Sequence, residues 1–162
     1  MPIQKLRQFL DENLVRYVVI SHSKAYTSQG VAANAYILGN ELAKTVMLEK
    51  VDGELCLVVL PASKQLDLAA FAKHTNSGSI YLATERDFKN RFPDCEVGAM
   101  PPFGNLYGLR VYADTSLAHD KEIAFNAGSR LEFFRLAFRD FERLVEPTIV
   151  DLAMPRTASC AA

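Results

Sequence analysis

The sequence predicts one domain of mixed α and β structure, and three observations support this prediction. An apolar pattern with helical spacing opens the chain of 162 residues and is followed by a β-branched strand pattern. Two apolar runs flank Asp52-Gly53 as the arms of a hairpin. Helix and strand patterns then alternate as far as Val150. We expect residues 1–150 to form the domain and residues 151–162 to be a weakly held tail.

The N-terminal half begins with an amphipathic helix that ends before the strand Tyr17-Val18-Val19-Ile20. Residues 27–38 can form a short helix that is capped by Thr27 or Ser28 and closed by Gly39 and Asn40. The apolar positions of the first helix are Ile3, Leu6, Phe9, Leu10 and Leu14.

A hairpin is predicted over residues 46–60, with a two-residue type I′ turn at Asp52-Gly53 that needs positive φ at both residues. Strand alternation places Lys44, Val46 and Leu48 on one face, with the ammonium of Lys44 at the rim. A lysine at the head of an apolar run has two interpretations. Its stem covers apolar surface while its ammonium stays in water, or it serves a ligand site.

The second half contains further elements of both kinds. The stretch 131–145 fits one helical stripe, but its first six residues are aromatic enough for a strand, and periodicity alone leaves both open. The remaining predictions are a helix over 67–74, a strand over 80–82, a helix that starts with a capping box at 84–87 and ends at Pro93, and strands over 109–112 and 122–125.

Composition restricts the classes of function. Hydrophobic residues make up 49% and charged residues 23%, which is typical of soluble globular chains. Three cysteines without close spacing argue against a disulfide framework and a cysteine zinc site. No apolar run could span a bilayer and no signal peptide is apparent, so we expect a cytoplasmic protein without membrane contact. The net charge of −1 means that nucleic-acid binding needs a local basic patch, and we expect no DNA partner.

Common catalytic motifs are absent from the sequence. His22, His74 and His119 lack ligand spacing, so no metal is expected, and without a Walker A loop or a dinucleotide-binding turn no cofactor is expected. The sequence also lacks a Gly-x-Ser-x-Gly elbow. Cys95 has no adjacent base and reads better as a small buried hydrophobe than as a nucleophile. His22 is either a pocket residue or a hydrogen-bonded structural histidine.

The loop from Gly98 to Gly104 is the strongest local signal in the second half. Its two glycines allow close backbone approach to a ligand, and Pro101 and Pro102 stiffen its outline. The alternative is an ordinary proline-rich turn between a helix and a strand.

Together these segments resemble the YbaK-like family, the stand-alone relatives of the editing domain in bacterial prolyl-tRNA synthetases. The resemblance covers residues 15–146. It is carried by His22, Leu42-Ala43-Lys44-Thr45-Val46, Leu57-Val58-Val59-Leu60-Pro61, Gln65-Leu66-Asp67-Leu68, the 98–104 loop and Phe125-Asn126-Ala127-Gly128.

The resemblance implies a curved, partly closed mixed β-sheet flanked by helices, with a strand over 131–136 and a helix over 140–145. It also implies a trans-acting aminoacyl-tRNA deacylase that hydrolyses the ester of a mischarged tRNA carrying a small amino acid. By this resemblance, Lys44 is the catalytic residue, and it positions a substrate that helps to activate water. The implied substrate-binding residues are His22, Gly98, Ala99, Met100, Pro101, Pro102, Asn126, Ala127 and Gly128.

The expected partners are the acceptor end of a mischarged tRNA and, in addition, an aminoacyl-tRNA synthetase. Candidates for a basic patch are Lys24, Lys64, Arg86, Lys89 and Arg130, with plain surface charge as the alternative for each. The competing function is a non-catalytic module that binds an aminoacyl-tRNA or small ligand in the same pocket.

Overall fold

The computed structural model describes residues 4–21, 42–84, 86, 90, 92, 95–96 and 98–155. Within them the chain forms three α-helices and ten strands. The helices are α1 (Gln4–Glu12), α2 (Leu68–Thr75) and α3 (Phe138–Val145). The strands are β1 (Tyr17–Ser21), β2 (Ala43–Lys50), β3 (Leu55–Pro61), β4 (Lys64–Leu66), β5 (Ile80–Leu82), β6 (Arg110–Asp114), β7 (Glu122–Asn126), β8 (Glu132–Ala137), β9 (Thr148–Val150) and β10 (Ala153–Pro155).

The strands form three sheets. The largest has the order β5-β2-β3-β6-β9, with antiparallel pairs up to β3 and parallel pairs after it. An antiparallel sheet has the order β1-β8-β7, and β10 pairs with β4. A parallel bridge from Leu42 to Ala124 joins the two larger sheets. The predicted mixed α and β class is therefore confirmed, with sheets that meet without closing into a barrel in the described residues.

The central sheet is buried on both faces. Ala43 and Met47 of β2 point into the main core, where aromatic rings from β7, β8 and α3 meet. The opposite face of β2 and β3 packs against Phe71 of α2. Strand alternation produces this division, since successive side chains of a strand point to opposite faces. The apolar cluster between this face and α2 consists of Leu48, Cys56, Val58, Leu60, Phe71, Tyr112 and Leu152.

Most predicted elements of the described chain are confirmed. These include the first helix and strand, the hairpin, the helix ending near His74, the strands over 80–82, 109–112 and 122–125, and the strand and helix that the resemblance implied over 131–145. Arg86 is helical, as the capping box predicts. The helix predicted over 27–38 and the stop at Pro93 lie outside the described residues.

The predicted type I′ turn is wrong. Gly53 has a φ of 86°, but Asp52 is not among the non-glycine residues with positive φ. Gly53 N donates to Lys50 O at 2.8 Å, and Lys50 N donates to Glu54 O at 2.8 Å. This pattern is a type I turn followed by a glycine bulge, which suits three-residue hairpin loops.

The C-terminal boundary also differs from the prediction. Leu152 is fully buried, and β10 pairs with β4 from Ala153↔Leu66 to Pro155↔Lys64. The expectation of a weakly held tail is therefore wrong for residues 151–155. The sequence pattern is weak there because one buried leucine and a three-residue strand carry too few apolar positions to show a period.

Gly104 is required by close packing. A Cβ on this residue would lie 2.6 Å from Val111 Cγ2 and 2.8 Å from the carbonyl oxygen of Leu109. We expect Gly104→Ala to lower the free energy of unfolding by about 2 kcal/mol, because the backbone oxygen cannot move aside cheaply. The midpoint of urea denaturation measures this change.

A matched control is available at Gly108, which has open space for a Cβ but a φ of 69°. Gly108→Ala should cost only about 1 kcal/mol, since the strain is confined to the backbone. If the Gly104 variant proves no less stable than the Gly108 variant, close packing is not the reason for this glycine.

Candidate active site

Lys44 is the second residue of β2 and lies opposite Leu60 of β3. It is half-buried and shares a strand face with Val46 and Leu48, as alternation predicts. These two neighbours belong to, or pack against, the apolar cluster under α2. The ammonium of Lys44 is thus carried at the edge of an apolar face.

The bridge between the two large sheets brings Lys44 and Asn126 to the same face. Leu42 pairs in parallel with Ala124, and both belong to one small buried cluster. Lys44 and Asn126 each lie two residues further along their own chain segment. Because strand side chains alternate, both continue on the face that Leu42 and Ala124 share.

Two loop segments are hydrogen-bonded to each other beside Asn126. Gly128 N donates to Ala99 O at 2.9 Å, and Glu96 N donates to Gly128 O at 2.8 Å. Arg130 N donates to a carboxylate oxygen of Glu96 at 3.1 Å. The 98–102 segment and the 126–128 segment, which sequence reasoning named separately, thus form one unit.

Glycines permit the shape of both segments. Gly98 has a φ of 80° and Gly128 a φ of 86°, in the left-handed region that side chains disfavour. A Cβ on Gly98 would lie 3.7 Å from the Arg130 guanidinium. The turn after β7 is further held by the Asn126 side-chain amide, which donates to Ser129 O at 3.3 Å.

The side chains of the 98–102 loop serve the core. Met100 is buried in the main apolar cluster, and Ala99, Pro101 and Pro102 are buried as well. The loop can therefore offer a ligand mainly its backbone. Proline has no N–H, so the donors are those of Gly98, Ala99 and Met100. Ala99 N already donates to Glu96 O at 3.0 Å.

The predicted site residues thus fall into three groups. Lys44 and Asn126 share a face, and Gly98, Ala99 and Gly128 share a loop unit, while Met100, Pro101, Pro102 and Ala127 are buried around that unit. His22 lies outside the described residues. The sequence did not indicate that Glu96 and Ser129 hold these loops together through hydrogen bonds. A single acidic residue and a single serine form no spaced motif that would predict such a role.

Cysteine chemistry is disfavoured at this face. Cys56 lies in the cluster under α2, and burial raises the pKa of its thiol to about 11. A neutral thiol is a poor nucleophile near pH 7. Within the described residues, no three His, Cys, Asp or Glu side chains are grouped so as to hold a metal ion.

Across the described part of the chain, no helix combines the length and the apolar character that crossing a bilayer requires.

Comparisons with known proteins identify the family of this chain. A family model described as "Aminoacyl-tRNA editing domain" matches residues 22–144. The multifunctional Ser/Thr-tRNA deacylase ProXp-y of Escherichia coli K12 is 28% identical over 152 residues, which cover 91% of this chain and 90% of that protein.

Two crystal structures share the fold at low sequence identity. The hypothetical protein APE2540 superposes with a TM-score of 0.83 at 17% identity, over 93% of this chain and all of that chain. A protein described as a candidate trans-editing enzyme for prolyl-tRNA synthetase superposes with a TM-score of 0.80 at 18% identity, over 93% of this chain and 96% of that chain.

Proposed function

From the premise that this chain belongs to the aminoacyl-tRNA editing domain family, we propose that it is a trans-acting deacylase for mischarged tRNA. Its substrate is a tRNA ester of a small amino acid. Serine and threonine are the first candidates, since the relative in Escherichia coli is named for them. The reaction transfers the acyl group to water and releases the free amino acid and the tRNA. We place it in the cytoplasm, where charged tRNA is used.

The observation that carries the proposal is the convergence of Lys44 with Asn126 at the sheet junction, beside the 96–100 and 128–130 loop unit. A cation, an amide and a glycine-shaped backbone suit an ester that joins an amino acid to a ribose. Such an ester is already activated, so it needs orientation, a positioned water and an oxyanion stabiliser more than a protein nucleophile.

Lys44 acts as a positioning group in this proposal. An ammonium repels the positively charged amino group of the substrate, so we place Lys44 toward the ester oxygen or the terminal phosphate. A lysine is a poor general base at neutral pH. The neighbouring hydroxyl of the terminal ribose therefore helps to activate the water.

The loop backbone supplies the remaining donors. Gly98 and Met100 have N–H groups that donate to no acceptor in the described residues, whereas Ala99 N is bonded to Glu96 O. We assign the N–H groups of Gly98 and Met100 to the carbonyl oxygen of the ester, where negative charge develops. The buried prolines and the bonds to Gly128 hold this backbone in place before substrate arrives.

A panel of mischarged tRNAs tests the function. Purified protein is offered tRNAs that carry serine, threonine, alanine or cysteine, with tRNAs carrying leucine or phenylalanine as controls for a large side chain. We expect at least one small amino acid to be released at least tenfold faster than leucine, because a pocket distinguishes side-chain size by about 1 to 3 kcal/mol per methylene.

The panel also has an outcome that contradicts the proposal. If none of the esters is hydrolysed faster than in buffer alone, yet the protein retards the same tRNAs in a binding assay, the chain is a non-catalytic binding module.

A further inference from the structure

We propose that a groove on the β1-β8-β7 sheet binds backbone phosphates of the same tRNA whose aminoacyl end occupies the Lys44 site, an inference that rests on the proposed function. The groove has a volume of about 550 Å³. Its walls combine arginines, acids and apolar side chains, chiefly Arg16, Tyr17, Val18, Glu122, Arg135 and Arg139.

The groove carries spare positive charge. Glu122 lies 3.4 Å from Arg135 Nε, and Asp140 lies 3.4 Å from Arg143, so both acids are offset by an arginine. Arg16 and Arg139 are exposed and form no ion pair or hydrogen bond within the described residues. Two guanidinium groups are therefore available to an anion at this surface.

Arg135 adds a third, half-buried guanidinium. Its Nε atom is buried and, although it is within ion-pair distance of Glu122, it has no hydrogen-bond partner in the described part of the chain. A guanidinium presents its N–H groups as a planar fork that matches two oxygens of a phosphate. Tyr17 and Val18 supply an apolar wall for ribose or base.

The groove residues Val18, Arg135 and Glu122 lie on the same sheet face as the candidate active site, whereas Tyr17 and Leu136 point to the core face. In the antiparallel register, Asn126 is opposite Phe133, Ala124 is opposite Arg135, and Glu122 is opposite Ala137. These pairs all point to the face of Ala124, and Val18 joins them opposite Arg135. Asn126 and the groove therefore lie toward opposite ends of one sheet face, with the buried Ala124 and Phe133 between them.

The separation suits a nucleic-acid strand. Asn126 and Glu122 are four residues apart on β7, which is roughly 14 Å along a strand. Stacked nucleotides rise by about 3.4 Å each, so the groove meets phosphates about four nucleotides from the ester. The net charge of the chain is only −1, so a local patch of this kind is what RNA binding requires here.

Of the five basic residues that the sequence suggested for RNA binding, Lys24 and Lys89 lie outside the described residues, and Lys64, Arg86 and Arg130 do not line this groove. Lys64 lines a separate cavity with His119 and Asp120, and Arg130 lies beside Gly98. Arg16 and Arg139 are far apart in sequence, so no charge cluster marks them.

The test uses the double variant Arg16→Gln/Arg139→Gln of the full chain. Its matched control, Lys73→Gln/Arg110→Gln, removes two exposed cations from α2 and β6. Dissociation constants for uncharged tRNA are measured over a series of KCl concentrations. Hydrolysis is measured on the whole mischarged tRNA and on an aminoacyl dinucleotide, which is too short to reach the groove.

We expect the groove variant to bind tRNA about tenfold more weakly at low salt. The slope of log Kd against the logarithm of the KCl concentration should decrease by about 1.4, because two phosphate contacts are lost. The kcat/KM of this variant on whole tRNA should fall about tenfold as well, while hydrolysis of the dinucleotide ester changes by less than twofold. The control variant should match the wild type in all of these measurements.

Three outcomes would overturn the inference: an unchanged salt slope, an equal loss in the control variant, or an equal loss on the dinucleotide ester. Failure of the proposed function has a different signature. In that case the wild type hydrolyses neither substrate, while the salt dependence of tRNA binding still reports on the groove.

Discussion

Replacing Lys44 with alanine is expected to slow hydrolysis of the mischarged tRNA by at least about a hundredfold, because in the proposed site Lys44 is the preorganised cation next to the ester. The fold should persist, since Lys44 sits at the edge of the apolar face and its backbone pairing with Leu60 does not depend on its side chain. Single-turnover deacylation, followed beside a thermal melt, separates these two effects.

Two further variants isolate the charge. Lys44→Met keeps an unbranched stem for packing and should be as inactive as the alanine variant. Lys50→Ala removes a lysine from the same strand and the same face, six residues away, where it pairs with Glu54 instead. It should keep activity within about twofold of the wild type, since six residues along a strand place it roughly 20 Å from Lys44.

A pH profile distinguishes positioning from base catalysis. A positioning lysine changes the height of the kcat/KM profile but leaves its shape intact, whereas loss of a general base removes one limb. Near-normal turnover by both the alanine and the methionine variants would refute the assignment of Lys44.

Replacing Asp114 with alanine is expected to lower the free energy of unfolding by about 3 kcal/mol. The carboxylate is only 4% exposed and accepts from Leu152 N at 3.0 Å, Ala153 N at 3.1 Å and Ser116 N at 3.1 Å. Ser116 Oγ donates to it as well. Alanine would leave these donors without their acceptor in a buried place. Urea denaturation measures the loss.

The nearby Asp151 provides the control, since it is exposed and makes no hydrogen bond within the described residues. Asp151→Ala should change stability by less than about 0.5 kcal/mol. Truncation after Val150 removes two of the donors to Asp114, so its effect and that of Asp114→Ala should combine to less than their sum. Fully additive losses would show that the carboxylate does not hold the C-terminal segment.

Periodicity succeeded wherever an element buries a continuous stripe. The first helix, the hairpin and α2 were predictable because their apolar residues recur with a period of 3.6 residues in the helices and 2 residues in the strands. The 131–145 stretch was not, since its phenylalanines serve a strand up to Ala137 and then a helix from Phe138, and both point into one core. Only the family resemblance separated the two halves correctly.

Turn geometry and chain ends were less predictable for local reasons. Asp52-Gly53 is compatible with two hairpin turns that differ in the φ of one residue, and the pairing register selects between them. Leu152 is held by an acid that lies 38 residues away in sequence, so no local pattern reports it.

By itself, the sequence determined the mixed α and β class, the face on which Lys44 lies, and the glycine and proline chemistry of the 98–102 loop. These depend on side-chain period and backbone freedom, which are local properties. Only the tertiary structure decided that Lys44 and Asn126 share a face beside a bridge between sheets, that Gly128 is hydrogen-bonded to Ala99, and that Arg16 and Arg139 share a groove. Such contacts arise from pairing between distant segments, which carries no spacing signal along the chain.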